Sequence, residues 1–336
     1  SPSDERQAPF CPVFDACGGC QLQHIKPDAA LEQRDRALKV MMERQLSMKP
    51  NVWQAPLAGP RPQYRRKARL AIDARNPNQI KLGFREANSS NVINVETCPI
   101  LVDPLSKLIG PLRDALTGFE SARHIGHISL IAGDNTSHLV IKHTKALEAE
   151  LIDAVSELVN TSSSVGVYGI ELKLENKQGQ IRSVGRGTDM VMNTVNGCSI
   201  SPSANDFIQI NKVVNEKMVN QAIGWLNPKP NERIADWFSG LGNFTLPIAK
   251  LGAKVQAVEG VAEMVRRAKD NAQQQGIENV EWLHLDLADK TNVEASLQLG
   301  FDKVLLDPSR EGALTVCHAL VKALPKTIVY VSCNPS

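Results

Sequence analysis

The chain has 336 residues, 42% hydrophobic and 22% charged, and its 38 Lys and Arg against 36 Asp and Glu leave a formal net charge of +2. This is the composition of a globular protein long enough for two domains, and it excludes a low-complexity chain or one that binds nucleic acid through its whole surface charge. No run approaches the roughly 18 uncharged apolar residues of a membrane span, and the first twenty residues lack a basic-then-apolar leader, so the expected address is the cytoplasm, with no membrane partner.

The first motif in the chain is "CPVFDACGGC", with Cys11, Cys17 and Cys20; Cys98 in "VETCPIL" can supply a fourth thiolate. Seven cysteines in a chain without a leader argue against a disulfide framework, and three within ten residues point to a ligand role. Four thiolates suit either tetrahedral zinc or an iron-sulfur cluster, and spacing alone does not choose. From Leu31 to Leu46 the sequence has apolar residues at helical spacing and no Gly or Pro, which predicts one amphipathic helix. Proline-rich "QAPLAGPRPQY" ends it.

From Tyr64 to about Cys198 short β-like runs ("ARLAID", "QIKLGFR", "HISLIAG", "SHLVIKH") predict an antiparallel sheet with attached helices. The run "YRRKAR" places Arg65, Arg66, Lys67 and Arg69 on one such strand, followed by Arg75, Lys81 and Arg85. Such a run is either a solvated face or a strip for phosphates. From about Phe207 apolar strands alternate with helices ("RIADWF", "KVQAVE", "VEWLHLD", "DKVLLD" and "TIVYVSC"), which predicts a parallel sheet covered on both faces.

The glycine loop "ADWFSGLGNF" follows the first of these strands and opens a helix, as a loop whose backbone N–H groups meet a ligand does. Glu259 ends the next strand, 19 residues beyond Gly240, where a carboxylate can accept both ribose hydroxyls of an adenosyl ligand. Asp236, Glu259, Asp286 and Asp307 are thereby expected at the carboxyl ends of successive strands, on one rim. Singly, each could be a turn or cap residue; their repetition favours a site. A third glycine at dinucleotide spacing is missing, so an adenosyl ligand without a pyrophosphate fits better. Cys333 falls on the same rim and is a candidate nucleophile, whereas Cys198 and Cys317 read as structural.

Taken in order, "DFIQIN", "DWFSGLGNF", "AVEG", "DKVLLDPSREG" and "VYVSCNP" resemble the RNA (uracil-5)-methyltransferases, most closely the RumA group that modifies bacterial 23S ribosomal RNA. The resemblance runs from Cys11 to the last residue. Two positions depart from the family pattern: Trp237 stands where Leu is usual and Ser239 where Cys is usual. The resemblance implies an α/β fold, with a class I S-adenosylmethionine-dependent, Rossmann-like methyltransferase domain and a central α+β domain bearing an iron-sulfur cluster. It implies S-adenosylmethionine contacts from Gln209, Phe238, Asn243, Glu259, Asp286 and Asp307, and catalysis by Cys333 with Asp307 orienting the pyrimidine.

It further implies a [4Fe-4S] cluster on Cys11, Cys17, Cys20 and Cys98, with Gly18 and Gly19 letting backbone N–H groups approach cluster sulfurs. Its RNA contacts are Phe207, stacking on a flipped base, and Arg65, Arg66, Lys67 and Arg69, the last near the target base. The partner is then a single-stranded or loop segment of 23S ribosomal RNA, bound by a monomer. The implied layout is 1–22 as the cluster-binding segment of the central domain, 23–56 as a helical segment docking on the methyltransferase domain, 57–206 as the central RNA-binding domain and 207–336 as the methyltransferase domain. The family places its general base, a glutamate, and a final helix and strands beyond the cysteine motif, so the domain is expected to be C-terminally truncated. Three other readings stay open: an amino methyltransferase, against which "DPSR" stands in place of Asn-Pro-Pro-aromatic; a non-enzymatic RNA-binding iron-sulfur protein; and a transfer-RNA uracil-5-methyltransferase.

Overall fold

The first long helix, α1 (Pro27–Leu46), starts four residues before the helix read from Leu31, because Pro27 sits in its first turn, where proline's fixed φ suits a helix and no N–H is needed. Trp53 from the extended stretch after it donates to Asp35 at 2.8 Å, and Lys39 bonds the other oxygen of the same carboxylate at 2.5 Å. The computed structural model describes residues 3–47, 49–165 and 169–333. It divides into two units, Ser1–Met190 with Ile210–Val213, and Val191–Gln209 with Val214–Ser336.

Strand alternation builds the first unit. In β1 (Lys67–Asp73), Ala68 and Leu70 are buried while the odd-numbered residues face outward. The strand pairs antiparallel with β2 (Lys81–Arg85), and β2 with β3 (Val92–Asn94). Helix α2 (Asp103–Leu116) leads through a 3₁₀ turn to β4 (Ile125–Ala132) and β5 (Thr136–His143), and α3 (Ala149–Val165) leads to β6 (Gly169–Glu175) and β7 (Ile181–Val184). The sheet order is β3-β2-β1-β4-β5-β6-β7. It is antiparallel as expected except at β5 and β6, which run parallel because α3 carries the chain across. Its core gathers Leu70, Leu82, Leu105, Ile109, Ile128 and Leu139, all at 0% exposure.

The second unit opens with a hairpin of β8 (Met192–Asn193) and β9 (Ser199–Ile200). Asn196 and Gly197 both take left-handed φ values, 56° and 66°, as a tight Asn-Gly hairpin turn requires. The sequence reading put this segment in the central domain, whereas Val195 and Cys198 are buried in the same cluster as Phe244 and Leu246 of the second unit. Helix α4 (Lys212–Leu226) precedes a regular alternation of β10 (Arg233–Trp237), α5 (Thr245–Lys250), β11 (Lys254–Glu259), α6 (Ala262–Gln274), β12 (Val280–His284), α7 (Lys290–Leu297), β13 (Lys303–Leu306), α8 (Leu314–Ala323) and β14 (Thr327–Tyr330). All five of these strands pair in parallel, in the order β12-β11-β10-β13-β14. Strand order reverses at β10, which puts the topological switch point at the carboxyl ends of β10 and β13, where such sheets bind ligands. No helix among the described residues is long and apolar enough to cross a membrane.

Candidate active site and cysteine pocket

The glycine loop leaves β10 through three left-handed residues, Phe238 (φ 65°), Gly240 (57°) and Gly242 (95°). A Cβ on Gly242 would lie 3.0 Å from Leu246 and 3.2 Å from Trp282 at a left-handed φ, so a side chain there would be both strained and crowded. Phe238 takes the same region without glycine's freedom, at a cost of about 1–2 kcal/mol that local bonds must offset. Those bonds are present. Ser239 N–H donates to Val258 O at 3.0 Å, Gly240 N–H to Glu259 Oε2 at 3.0 Å, and Thr245 Oγ1 to Asp236 Oδ2 at 2.5 Å.

Asn243 pairs reciprocally with Asn215 of α4, at 2.9 and 3.0 Å, so its side chain fixes the loop rather than standing open at the switch point. The sequence carried no signal for Asn215 or for Thr245.

Three of the four expected rim carboxylates lie where the strand ends put them. Glu259 is the last residue of β11, Asp286 is exposed two residues past β12, and half-buried Asp307 follows β13 directly, its N–H on Trp237 O at 3.3 Å. Asp236 is different. It lies one residue inside the end of β10 and is fully buried, with Oδ1 lacking a hydrogen-bond partner among the described residues, so it underlies the rim and is not on it. Burial pushes its pKa up to about 7, with the neighbouring charges of Asp307 and Glu259 adding to the shift. Burial also pushes Asp307 up to about 6.

Cys333 is exposed, three residues past the end of β14. Leu306 pairs with Tyr330, and Val331 N–H donates to Leu306 O at 2.8 Å, so Asp307 and Cys333 leave neighbouring strands at one edge. Residues 334–336 of the "VSCNPS" motif lie outside the described residues. Cys198 (1% exposed) and Cys317, packed against the α8 core, sit in apolar surroundings.

Phe207 is 73% exposed and Gln209 half-buried, on the loop that follows β9. The loop and the β9 strand before it are held by Arg267 and Asn271 of α6 and by Gln275 just past its end, at i, i+4 and i+8. Arg267 bonds Asp206, Asn271 accepts from Ser201 N–H at 3.0 Å, and Gln275 both accepts from Ser199 N–H and donates to Ser199 O at 2.8 Å. The helical spacing of these three polar residues was in the sequence; their target was not.

Comparison with known proteins gives the family and the fold. The tRNA (uracil-5-)-methyltransferase family model matches residues 26–336. The chain belongs to this uracil-5-methyltransferase family. It is 77% identical over its full length to the 23S rRNA (uracil(1939)-C(5))-methyltransferase RlmD of Alteromonas mediterranea, covering 68% of that protein, and 40% identical to the RlmD of Shewanella sediminis, covering 75%. Its fold is that of the Pyrococcus abyssi tRNA (uracil-54, C5)-methyltransferase solved with S-adenosyl-L-homocysteine, with a TM-score of 0.70 at 21% identity over 95% of this chain and 77% of that one.

Within the first unit of this uracil-5-methyltransferase, Cys11, Cys17, Cys20 and Cys98 line one pocket of about 210 Å³ together with Arg65, Arg69 and Phe84. The cysteine segment docks on the end of β2. Cys17 bridges Glu86, and Gly18 N–H donates to Arg85 O at 3.0 Å. Of the two glycines, only Gly19 turns its N–H to sulfur, that of Cys17 at 3.4 Å; a Cβ on Gly18 would lie 3.3 Å from Arg85 O and 3.4 Å from Ala87.

Gln23 accepts from Cys11 N–H at 3.1 Å, and Ser106 brackets the Cys98 backbone at 2.9 and 3.0 Å. Burial pushes the Cys20 and Cys98 thiols up, while the Ile100 and Leu101 N–H groups draw Cys98 back and the Arg65 charge favours the Cys20 thiolate. Among the described residues no three potential ligands converge on one point as a single ion requires.

The basic run does not form one strip. Arg66, just before β1, is 5% exposed, whereas Lys67 is half-buried and Arg69 exposed on the strand itself. Arg66 is therefore withdrawn as a phosphate contact.

Proposed function

We propose that this protein methylates carbon 5 of a uracil in 23S ribosomal RNA, the counterpart of uracil 1939, with S-adenosylmethionine as donor and a covalent adduct between Cys333 and uracil carbon 6 as intermediate. The observation that carries the reading is the departure of Asp307 and Cys333 from adjacent strand ends, β13 and β14, beside the switch point and its left-handed, backbone-pinned glycine loop. The names of the relatives at 77% and 40% identity support the ribosomal target.

S-adenosylmethionine, when bound, supplies an electrophilic methyl group. Gln209, Phe238, Glu259, Asp286 and Asp307 would hold it, with Asn243 setting the loop. The residues fit such a ligand: the loop offers approachable backbone, and Glu259, which already accepts from Gly240 and Val261 N–H groups, keeps lone pairs for ribose hydroxyls. Carbon 5 of uracil is too weak a nucleophile unaided. The Cys333 thiolate would add to carbon 6 and the ring electrons would collect as an enolate, so that carbon 5 could take the methyl group while the S–CH3 bond electrons return to the donor sulfur; a base would then take the carbon 5 proton and the thiolate would leave. Asp307 orients the pyrimidine edge and Phe207 stacks on the flipped base, which favours loop or single-stranded RNA.

The cysteine pocket is assigned to a [4Fe-4S] cluster. Its volume of about 210 Å³ is room for more than a single water or ion. Methyl transfer to uracil needs no electron, so the cluster would tie the N-terminal segment to the sheet and shape the surface that carries Lys67 and Arg69. The test is methylation of ribosomal and transfer RNA by the full-length protein with labelled S-adenosylmethionine, followed by mapping of 5-methyluridine. The expected product is one site in 23S RNA, lost in Cys333→Ala; a product only in transfer RNA would move the protein to that branch, and methylation surviving the substitution would remove the covalent step.

A further inference from the structure

Beyond the outward row of β1, the structure holds a second basic feature that neither the catalytic rim nor the cysteine pocket uses. Arg75 follows the end of β1, Arg85 ends β2, and Arg123 comes from the 3₁₀ turn Glu120–His124 that leads into β4. The three line one polar pocket of about 360 Å³ with Ser90 and Asn91. Asp73 is the only carboxylate among its described lining residues.

Two of the guanidinium groups are already aimed. Asp73 holds Arg75 in a fork, Nε to Oδ1 at 2.9 Å and Nη2 to Oδ2 at 2.6 Å, while the Arg75 side chain remains 90% exposed. Arg85 Nη1 is fixed on the Ser90 carbonyl. Lys81, the strand partner of Asp73, adds a further positive charge there. Arg123 is 61% exposed and meets Glu120 only at 3.8 Å, so its donors are open to another acceptor. An acid spent on holding one arginine leaves the pocket net cationic, and guanidinium groups held beforehand lose less freedom when they fork onto an oxyanion.

We propose that this pocket is a phosphate-binding site for the backbone of the RNA substrate, distinct from Lys67 and Arg69 farther back along the outward side of β1. The proposal rests on the RNA-methylating reading and extends it by naming a second anchor. Arg75 and Arg85 follow the charge run in the sequence. Only the fold adds Arg123 to them, from 38 residues beyond Arg85.

The test uses the full-length protein with its cluster and a 23S ribosomal RNA fragment containing the target uracil, with affinity measured over a range of salt concentrations. The triple variant Arg75→Gln, Arg85→Gln, Arg123→Gln should bind about tenfold more weakly near 0.1 M salt, and its slope of log K against log salt should be shallower by about two. Replacing the same three residues by Lys keeps the charge and should restore most of the slope. S-adenosylmethionine affinity serves as the control for folding, and Arg123→Gln alone, at an exposed site, reads the pocket if the triple variant misfolds. Lys67→Gln with Arg69→Gln tests the parent reading separately. If that variant weakens binding while the pocket variants keep the parent slope, the pocket proposal falls alone. If the unmodified protein binds no RNA, both fall.

Discussion

In the second unit the candidate cofactor rim is held by backbone bonds within one sheet and its first loop: Ser239 N–H to Val258, Gly240 N–H to the Glu259 carboxylate, Asp307 N–H to Trp237. In the first unit the cysteine pocket gathers residues 11–20, from a segment of turns, and Cys98, from the loop after β3. A few bridges to Arg85, Glu86 and Gln23 hold that segment. The rim carries its own scaffold, whereas the pocket has few such bonds and would depend on the proposed cluster. The two sites should therefore fail separately.

The largest separation comes from metal loss. If the proposed cluster is present, Cys98→Ala or an iron chelator should strip it, raise proteolytic cleavage within residues 3–23 many-fold and weaken RNA binding, while S-adenosylmethionine affinity stays within about twofold. Iron analysis, limited proteolysis and calorimetry read the three effects. Equal loss of both affinities would show that the sites are not independent.

A pH experiment sharpens the other half. Asp236 and Asp307 have folded-state pKa values raised to about 7 and about 6, above the unfolded value near 3.9. Between those values the folded chain holds more protons than the unfolded chain, so their contribution is unfavourable once they ionise, and stability falls as pH rises from about 4 through 7. Asp236→Asn should flatten that fall by on the order of 2–4 kcal/mol in denaturant unfolding, and Cys98→Ala should not alter it. Methylation should instead decline as pH drops through about 6, where Asp307 takes up a proton and loses the charged acceptor that orients the pyrimidine.

The grip of α6 on the loop bearing Phe207 predicts a smaller effect. Arg267→Gln removes the charge that faces 5%-exposed Asp206 and should raise KM for RNA by about five- to tenfold, with kcat lowered less and Arg267→Lys partly restoring KM. A change confined to kcat would argue against this positioning role. The smallest effect is expected at Trp237, which is fully buried with its indole N–H lacking a partner among the described residues. Trp237→Phe gives up packing against Phe301 but also removes an unsatisfied donor, and the two should cancel to within about 1 kcal/mol.

The parallel sheet was legible because each of its strands is a compact apolar run, and Glu259 and Asp307 because they terminate such runs. Asp236 was misplaced by one residue, which in a strand is the difference between rim and interior. Arg66 failed in a related way, since a charge run read as a block hides the one member that is buried. The β8–β9 hairpin was assigned by its β-like pattern to the wrong neighbour, because the pattern does not tell which core Val195 and Cys198 enter. The pairs Asn215 with Asn243 and Asp206 with Arg267 join residues 28 and 61 apart and leave no local trace.

The most direct measurement concerns Cys333. Ribosomal RNA carrying 5-fluorouridine at the target position cannot release the carbon 5 substituent as a proton, so the adduct should persist after one turnover. Peptide mass analysis of the full-length protein should then find the methylated fluorouridine nucleotide attached to Cys333, with nothing retained in Cys333→Ala. An adduct on another residue, or efficient methylation with Cys333 absent, would contradict the account.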